Sequence, residues 1–177
     1  IVNRGDLLKK ISIPRYLIVV SSVTSAFINL IINLIVVLIF AFINDVEIMR
    51  SWLLLPLFIA ELFILSMSLA FFLSALFVKY RDAGYIWEVL LQAAFYATPI
   101  LYPLTIVAEK YQKYIMLNPV AQIIQDTRWA FVSHDTLSSW KVLNLPLLLV
   151  PFCFVLITVY IANRYFKKEA YYFAERI

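Results

Sequence analysis

Apolar positions run almost unbroken through four long stretches of this chain, and the charged residues collect in five short zones around them. Residues 16–43 carry no charge, 51–78 only Glu61, 83–108 only Glu88, and 142–163 none. At about 1.5 Å per helical residue, even the shortest stretch reaches the roughly 30 Å of a bilayer's hydrocarbon core. Strands would leave backbone N–H and C=O groups unpaired in lipid, and the runs lack the alternation of a barrel wall. The pattern predicts an all-α polytopic membrane protein, with four spans at 14–43, 51–78, 84–103 and 142–164.

The remaining segments have their own periodicity. At 3–10 the residues read as a short amphipathic helix, with Leu7, Leu8 and Ile11 on one side and Asp6, Lys9 and Lys10 around them. Pro14 breaks it, because the residue before a proline is pushed out of the helical region. Residues 1–13 thus form an extramembrane helix, and 165–177 a polar tail. The segment 104–140 is too polar to span and too apolar for an ordinary loop. Pro99 and Pro103 stop the third span near one surface. Tyr111, Tyr114, Ile115 and Leu117 make one amphipathic piece, and Asn118-Pro119 punctuates it. Ile123, Ile124, Trp129, Ala130 and Phe131 then alternate with Gln122, Gln125, Asp126 and Arg128. Two short re-entrant helices fit this pattern, since irregular backbone at membrane depth survives only when buried or lining water.

Composition changes the picture little and charge adds orientation. Hydrophobic residues make up 64% and charged residues 15% of the chain, with a mean hydropathy of +0.89, where soluble domains carry roughly 25% charged residues. The net charge of +4 is not a nucleic-acid signature, because the basic residues sit at span ends rather than along one stripe. Arg4, Lys9, Lys10, Arg15, Lys79, Arg81, Arg164, Lys167, Lys168 and Arg176 fall on one side, and Arg50, Lys110, Lys113, Arg128 and Lys141 on the other. By the positive-inside rule both ends of the chain face the cytoplasm, and 104–140 is an outer segment.

Several chemistries are excluded. With two glycines, Gly5 and Gly84, neither a phosphate-cradling P-loop nor a dinucleotide fingerprint can form, so ATP is not bound in that way by this chain. His134 stands beside Asp135 without partners at ligand spacing and reads as a solvated loop residue, so no metal site is expected. One cysteine, Cys153, allows neither an internal disulfide nor a thiolate cluster. Nothing resembles a nucleophile elbow, and no catalytic residue is expected.

What remains is a transport vocabulary. Glu61 lies a third of the way through the second span, where a carboxylate costs about 2.5–3.5 kcal/mol on insertion scales and marks a pathway or a helix contact. Asn29 and Asn33 share one face of the first span and read as helix–helix glue. Ser66, Ser68, Ala70, Ser74 and Ala75 are the small residues of close packing. Tyr85, Gln92 and Tyr96 share one face of the third span, and Trp87, Leu91 and Phe95 another.

Taken in order, Asn3-Arg4-Gly5-Asp6-Leu7-Leu8-Lys9-Lys10-Ile11-Ser12-Ile13-Pro14-Arg15, Tyr80-Arg81-Asp82, Thr98-Pro99-Ile100-Leu101-Tyr102-Pro103, Leu117-Asn118-Pro119 and Asp126-Thr127-Arg128 resemble the permease subunit of type-2 ABC exporters. The closest similarity is to the branch that exports O-antigen polysaccharide, part of lipopolysaccharide, or teichoic acid. The resemblance covers essentially the whole chain and implies spans three to six of a six-span permease, an earlier portion preceding residue 1. Asn3, Asp6, Leu7, Leu8, Lys9 and Lys10 would then belong to the coupling helix that docks on a separate ATPase, the subunit that carries ATP and Mg. Arg81 and Asp82 would sit at the cytoplasmic mouth, and Pro99, Pro103, Asn118, Pro119 and Arg128 would form the outer gate. Thr98 departs from the serine more often found before this proline.

The resemblance further implies a homodimer in a bacterial cytoplasmic (inner) membrane, moving a lipid-linked glycan among membrane lipids and taking no part in nucleic-acid binding. Sugars stack well on aromatic faces, so Tyr85, Trp87, Tyr96 and Tyr102, with Glu61, are the expected translocation path. A secondary transporter using Glu61 and Glu88 is the alternative, against which no internal repeat is visible. An ABC exporter of drugs or lipids shares the topology, and a purely structural anchor leaves the outer segment unexplained.

Overall fold

The computed structural model describes residues 16–44, 46, 48–80 and 82–170, the last four by their backbone alone. The amphipathic segment at 3–10, with Asn3, Asp6, Leu7, Leu8, Lys9 and Lys10, lies outside the described residues, as does Arg81. Among the described residues every regular element is helical. The chain divides into two compact units. One comprises the described residues within Ile1–Val46, Phe63–Ile86 and Thr158–Ile177, the other those within Glu47–Leu62 and Trp87–Ile157.

Three helices are long and apolar enough to cross a membrane: Tyr16–Ile43, Arg50–Lys79 and Leu145–Phe166. Helix α1 (Tyr16–Ile43) buries only Val19 and Ala41. Its polar side chains turn back on their own helix. Ser22 and Ser25 donate to the carbonyls of Ile18 and Ser21, each at 2.8 Å, and Asn33 donates to Asn29 O at 2.9 Å. A helix that closes its own hydrogen bonds can face lipid. The amide expected to glue helices therefore bonds within α1.

A 3-10 turn over Arg50–Leu54 leads into α2 (Leu55–Lys79), where Pro56 occupies the first turn and its missing N–H has no intrahelical partner to lose. In the first unit Phe27 of α1 meets Phe63 of α2 edge-on at 4.6 Å. Further along, small residues admit the last helix, α7 in chain order (Leu145–Ala170). Ser68 lies 3.4 Å from the Thr158 hydroxyl, and buried Ala75 and Val78 pack against Tyr165 and Phe166. The rings of Phe71 and Phe166 close the contact at 4.9 Å. Two of the five small residues singled out as packing positions, Ser68 and Ala75, thus sit at a helix contact.

The third expected span is shorter than its hydropathy implies. Helix α3 (Ala83–Ala97) has 15 residues, about 22 Å at 1.5 Å per residue, and by itself falls short of the hydrocarbon core. It stops six residues before the boundary expected at 103, because the Pro99 ring cannot continue the ladder and residues 98–103 form a turn. The last helix runs on to Ala170, through part of the expected tail.

Residues 104–140, expected as an outer segment, fold within the second unit. A 3-10 turn at Leu104–Ile106 precedes α4 (Glu109–Met116) and α5 (Pro119–Phe131). A one-turn helix, α6 (Ser139–Val142), was not expected. Asn118 caps α5, its Oδ1 accepting from Val120 N at 3.0 Å, and Pro119 follows at the first helical position, where a fixed φ suits the helix. Leu104, Met116 and Leu143 form the apolar core beneath these pieces.

Candidate functional site

Arg128 organises the turn that ends α3. Its Nη1 donates to Pro99 O at 2.8 Å and, longer, to Tyr102 O at 3.4 Å, while Nη2 donates to Ile100 O. Pro99 leaves the last carbonyls of the helix without their usual amide partners, and one rigid guanidinium fork takes up the carbonyls of the turn that follows. Asn118 adds a second tie, its Nδ2 donating to the Thr98 hydroxyl at 3.2 Å. A threonine serves there as a serine would. Tyr102 folds back so that its hydroxyl donates to the carbonyls of Tyr96 and Ala97 at 3.3 and 3.4 Å. Of the residues expected at the outer gate, Pro99, Asn118 and Arg128 therefore meet in one clamp, Pro119 starts the helix that carries Arg128, and Pro103 precedes the following 3-10 turn.

Behind the clamp lies a buried polar seam. Helix α5 is amphipathic by sequence, yet both sides are covered: Ile123 is 4% exposed, Gln125 2%, Asp126 1% and Gln122 fully buried. Asp126 Oδ1 accepts from Ser139 N at 2.6 Å, and its Oδ2 accepts from Ser139 Oγ at 2.6 Å and Gln122 Nε2 at 2.9 Å. Burial pushes the Asp126 carboxyl above its ordinary value, and the donors of Ser139 and Gln122 pull it back. Glu61 of α2 faces this seam, with the Gln122 side chain and the Asp126 carboxyl as its neighbours. It is 8% exposed, and neither of its oxygens has a hydrogen-bond partner. Gln122 Oε1, Gln125 Nε2, Ser138 Oγ and Trp129 Nε1 are likewise buried and unpaired.

Hydrogen bonds and aromatic contacts join the C-terminal end of α5 to the 3-10 turn that precedes α2. Ser51 Oγ donates to Ala130 O at 2.8 Å, and with its hydrogen so committed it accepts from His134 Nε2 at 3.0 Å. His134 stacks on Trp129 at 4.4 Å, Trp140 meets Trp129 edge-on at 4.6 Å, and Trp52 lies 4.8 Å from Phe131. His134, read as a solvated loop residue, is exposed in a turn and stacks one face on Trp129. Among the described residues no group of three His, Cys, Asp or Glu could hold a metal.

The expected translocation residues are placed as follows. Tyr96 and Tyr102 come together through the Tyr102 hydroxyl, and Glu61 joins the seam. Tyr85 and Tyr96 are 75% and 72% exposed on α3, Trp87 is half-buried, and Asp82 is exposed in the turn before α3. Sequence reasoning missed Ser138 and Ser139 altogether and did not join Gln122 and Asp126 to Glu61. The signal was present: Gln122, Gln125, Asp126 and Trp129 follow at helical spacing on one face, opposite a membrane carboxylate that requires polar company.

Apart from the seam, the first unit contains an apolar cavity of about 500 Å³ lined by Phe63, Met67, Phe71, Val159, Ala162 and Phe166 among others. The second holds a polar one of about 540 Å³ within residues 104–142, lined among others by Thr105, Glu109, Gln112, Lys113 and Lys141.

Known proteins are similar in sequence to this chain. An O-antigen export system permease protein RfbA of Klebsiella pneumoniae is 26% identical over 175 residues, covering 98% of this chain and 65% of the relative. A second RfbA from that organism is 25% identical over the same length. The RfbA of Myxococcus xanthus is 26% identical over 134 residues, covering 75% of this chain and 52% of the relative. The chain thus spans between about half and two thirds of the length of these curated relatives. The profile of the ABC-2 type transporter family matches residues 6–132, which include α1 to α5 and the Arg128 clamp. The profile match, over most of a chain whose helices are long and apolar enough to cross a membrane, shows that this multi-pass membrane chain belongs to the ABC-2 type transporter family.

Proposed function

We propose that the chain forms part of the membrane path of an ATP-driven exporter that moves a lipid-linked, O-antigen-like polysaccharide outward across the bacterial inner membrane. The observation that carries this reading is the similarity to O-antigen export permeases along 98% of the chain. Teichoic-acid-like glycans are the nearest alternative cargo. In this reading the chain is a transport subunit and no enzyme. A separate ATPase binds ATP and Mg²⁺ and docks on the segment containing Asn3, Asp6, Leu7, Leu8, Lys9 and Lys10. A second copy of the permease completes the path, and Arg81 and Asp82 stand at the cytoplasmic mouth. Tyr85, Trp87, Tyr96 and Tyr102 offer the glycan aromatic faces. The clamp of Pro99, Asn118 and Arg128 is the outer gate, and the polar cavity of the outer segment matches a chain of sugar hydroxyls.

The test is reconstitution of the full-length permease with its ATPase in liposomes. Lipid-linked O-polysaccharide should stimulate ATP hydrolysis and become accessible to glycosidase on the far side. Transport driven by an ion gradient in liposomes that hold no ATPase would overturn the proposal.

A further inference from the structure

We propose that the apolar cavity of the first unit holds one acyl chain of an anionic phospholipid from the surrounding bilayer, with the lipid headgroup against the basic end of α7. Three helices build the cavity: its lining includes Tyr16 from α1, Phe63, Met67 and Phe71 from α2, and Asn163 and Phe166 from α7. All three are long and apolar enough to cross a membrane, so the medium around the cavity is hydrocarbon rather than water. Its volume of about 500 Å³ falls in the range of pockets that take small ligands. Left empty, the walls would forfeit dispersion contacts, and an apolar wall gives water no hydrogen-bond partners. Ser68, the buried hydroxyl of the lining, is already committed to Leu65 O at 2.8 Å. A hydrocarbon chain suits these walls.

The height of the cavity matches the chain of a single leaflet. On α2 the lining runs from Phe63, which Phe27 meets edge-on, to Phe71, which Phe166 meets in the same way. Those positions are separated by about 12 Å at 1.5 Å per residue, against about 15 Å for half of the hydrocarbon layer. Charge then selects the headgroup. Tyr16 begins α1 and Phe166 ends the apolar part of α7. The cavity therefore lies toward the end where the sequence sets Arg15, Arg164, Lys167 and Lys168 against one carboxylate, Glu169. Basic residues at span ends attract anionic headgroups. Arg164 is exposed and gives one N–H to the Tyr160 hydroxyl at 3.2 Å, and a guanidinium has further N–H groups for an anion. The side chains of Tyr16 and Asn163 line the cavity without a hydrogen-bond partner among the described residues. Each carries a donor that suits the ester and phosphate oxygens of a lipid.

Photocrosslinking of the full-length permease with its ATPase, reconstituted in phosphatidylcholine vesicles, tests the site. It needs neither cargo nor ATP, so its outcome is separate from the transport reading. Two probes carry the same diazirine midway along one chain, one with a phosphatidylglycerol and one with a phosphatidylcholine headgroup. Adducts of the first should concentrate at Phe71 and Phe166 rather than on the exposed positions Ile32 and Phe40 of α1, and should exceed those of the second at least about fivefold. Arg164→Gln should lower the phosphatidylglycerol adducts about fivefold and leave the phosphatidylcholine adducts unchanged. Ala162→Phe on α7 and Met67→Trp on α2 each fill the cavity, and either variant that inserts should lose its cavity adducts at least about fivefold while those on α1 persist. Even labelling along α1, equal yields from the two headgroups, or filled variants that label like the parent would overturn the proposal. So would displacement of the probe by a polyprenyl-linked glycan and not by phosphatidylglycerol, which assigns the cavity to the cargo. Unlabelled cavity peptides would overturn it too, and would mean that another part of the permease covers the site.

Discussion

Arg128→Ala should open the turn that terminates α3. The guanidinium satisfies the carbonyls of Pro99 and Ile100 closely and that of Tyr102 at longer range. Bonds to a charged donor contribute about 1.5–3 kcal/mol each, and the site is half-buried, so two bonds at the lower figure give about 3 kcal/mol. At 1.4 kcal/mol per factor of ten, that raises the population of the opened turn about a hundredfold. Arg128→Lys keeps the charge but loses the planar fork, and should cost about half as much. Hydrogen exchange on the reconstituted protein reads the effect as faster exchange of the amides at 98–104, with α1 and α2 as internal references. If exchange at 98–104 in Arg128→Ala stays within about threefold of the parent, the guanidinium is not what holds the turn.

Other expectations follow from the same geometry. Replacing Pro99 and Pro103 together with Ala should extend α3 by a turn or more, since each proline costs about 3 kcal/mol inside a helix; cysteines at Ile115 and Ile124 should then change their reaction with an impermeant thiol reagent added outside, and labelling of the unmutated protein only from the cytoplasm would refute the topology. Exchanging Lys9 and Lys10 for Glu, or Leu7 and Leu8 for Asp, should lower copurification of the ATPase while membrane insertion holds; unchanged copurification with normal export removes the docking assignment. For Asp126 the sign is set by its raised value: the native state takes up the proton more readily than the unfolded chain, so its contribution is fully present below pH 3.8 and declines as pH rises through the native value. Asp126→Asn should flatten that part of the unfolding profile in detergent, and an identical slope would mean that the carboxyl does not titrate in this range.

Lipid makes helices such as α1 and the last helix simple to read, because charge-free runs leave the backbone no alternative to a helix. The limits lie at α3. Hydropathy continues through Pro103, whereas the helix ends at Ala97, and the partner that stabilises the ending, Arg128, lies some thirty residues away in sequence. Asn118-Pro119 was legible as a helix start because a capping side chain and a fixed φ act locally. The seam was not. Ser139 lies thirteen positions beyond Asp126, past the irregular stretch 132–138, and a serine there looks like any loop serine until the fold brings the two together. Gln122 and Asp126 looked like the wet side of an amphipathic helix, and only the covering of both sides of α5 reveals their buried role.

The 15-residue length of α3 also ties the protein to the thickness of its membrane. A helix of about 22 Å leaves about 8 Å of a 30 Å hydrocarbon layer to be covered by something that is not a rod. A rod meets mismatch by tilting; a clamped turn answers by stretching the contacts of Arg128 and Asn118 or by drawing the lipid inward. Longer acyl chains therefore load the clamp and shorter ones relieve it, and the bilayer becomes a mechanical input to the turn that Arg128 holds.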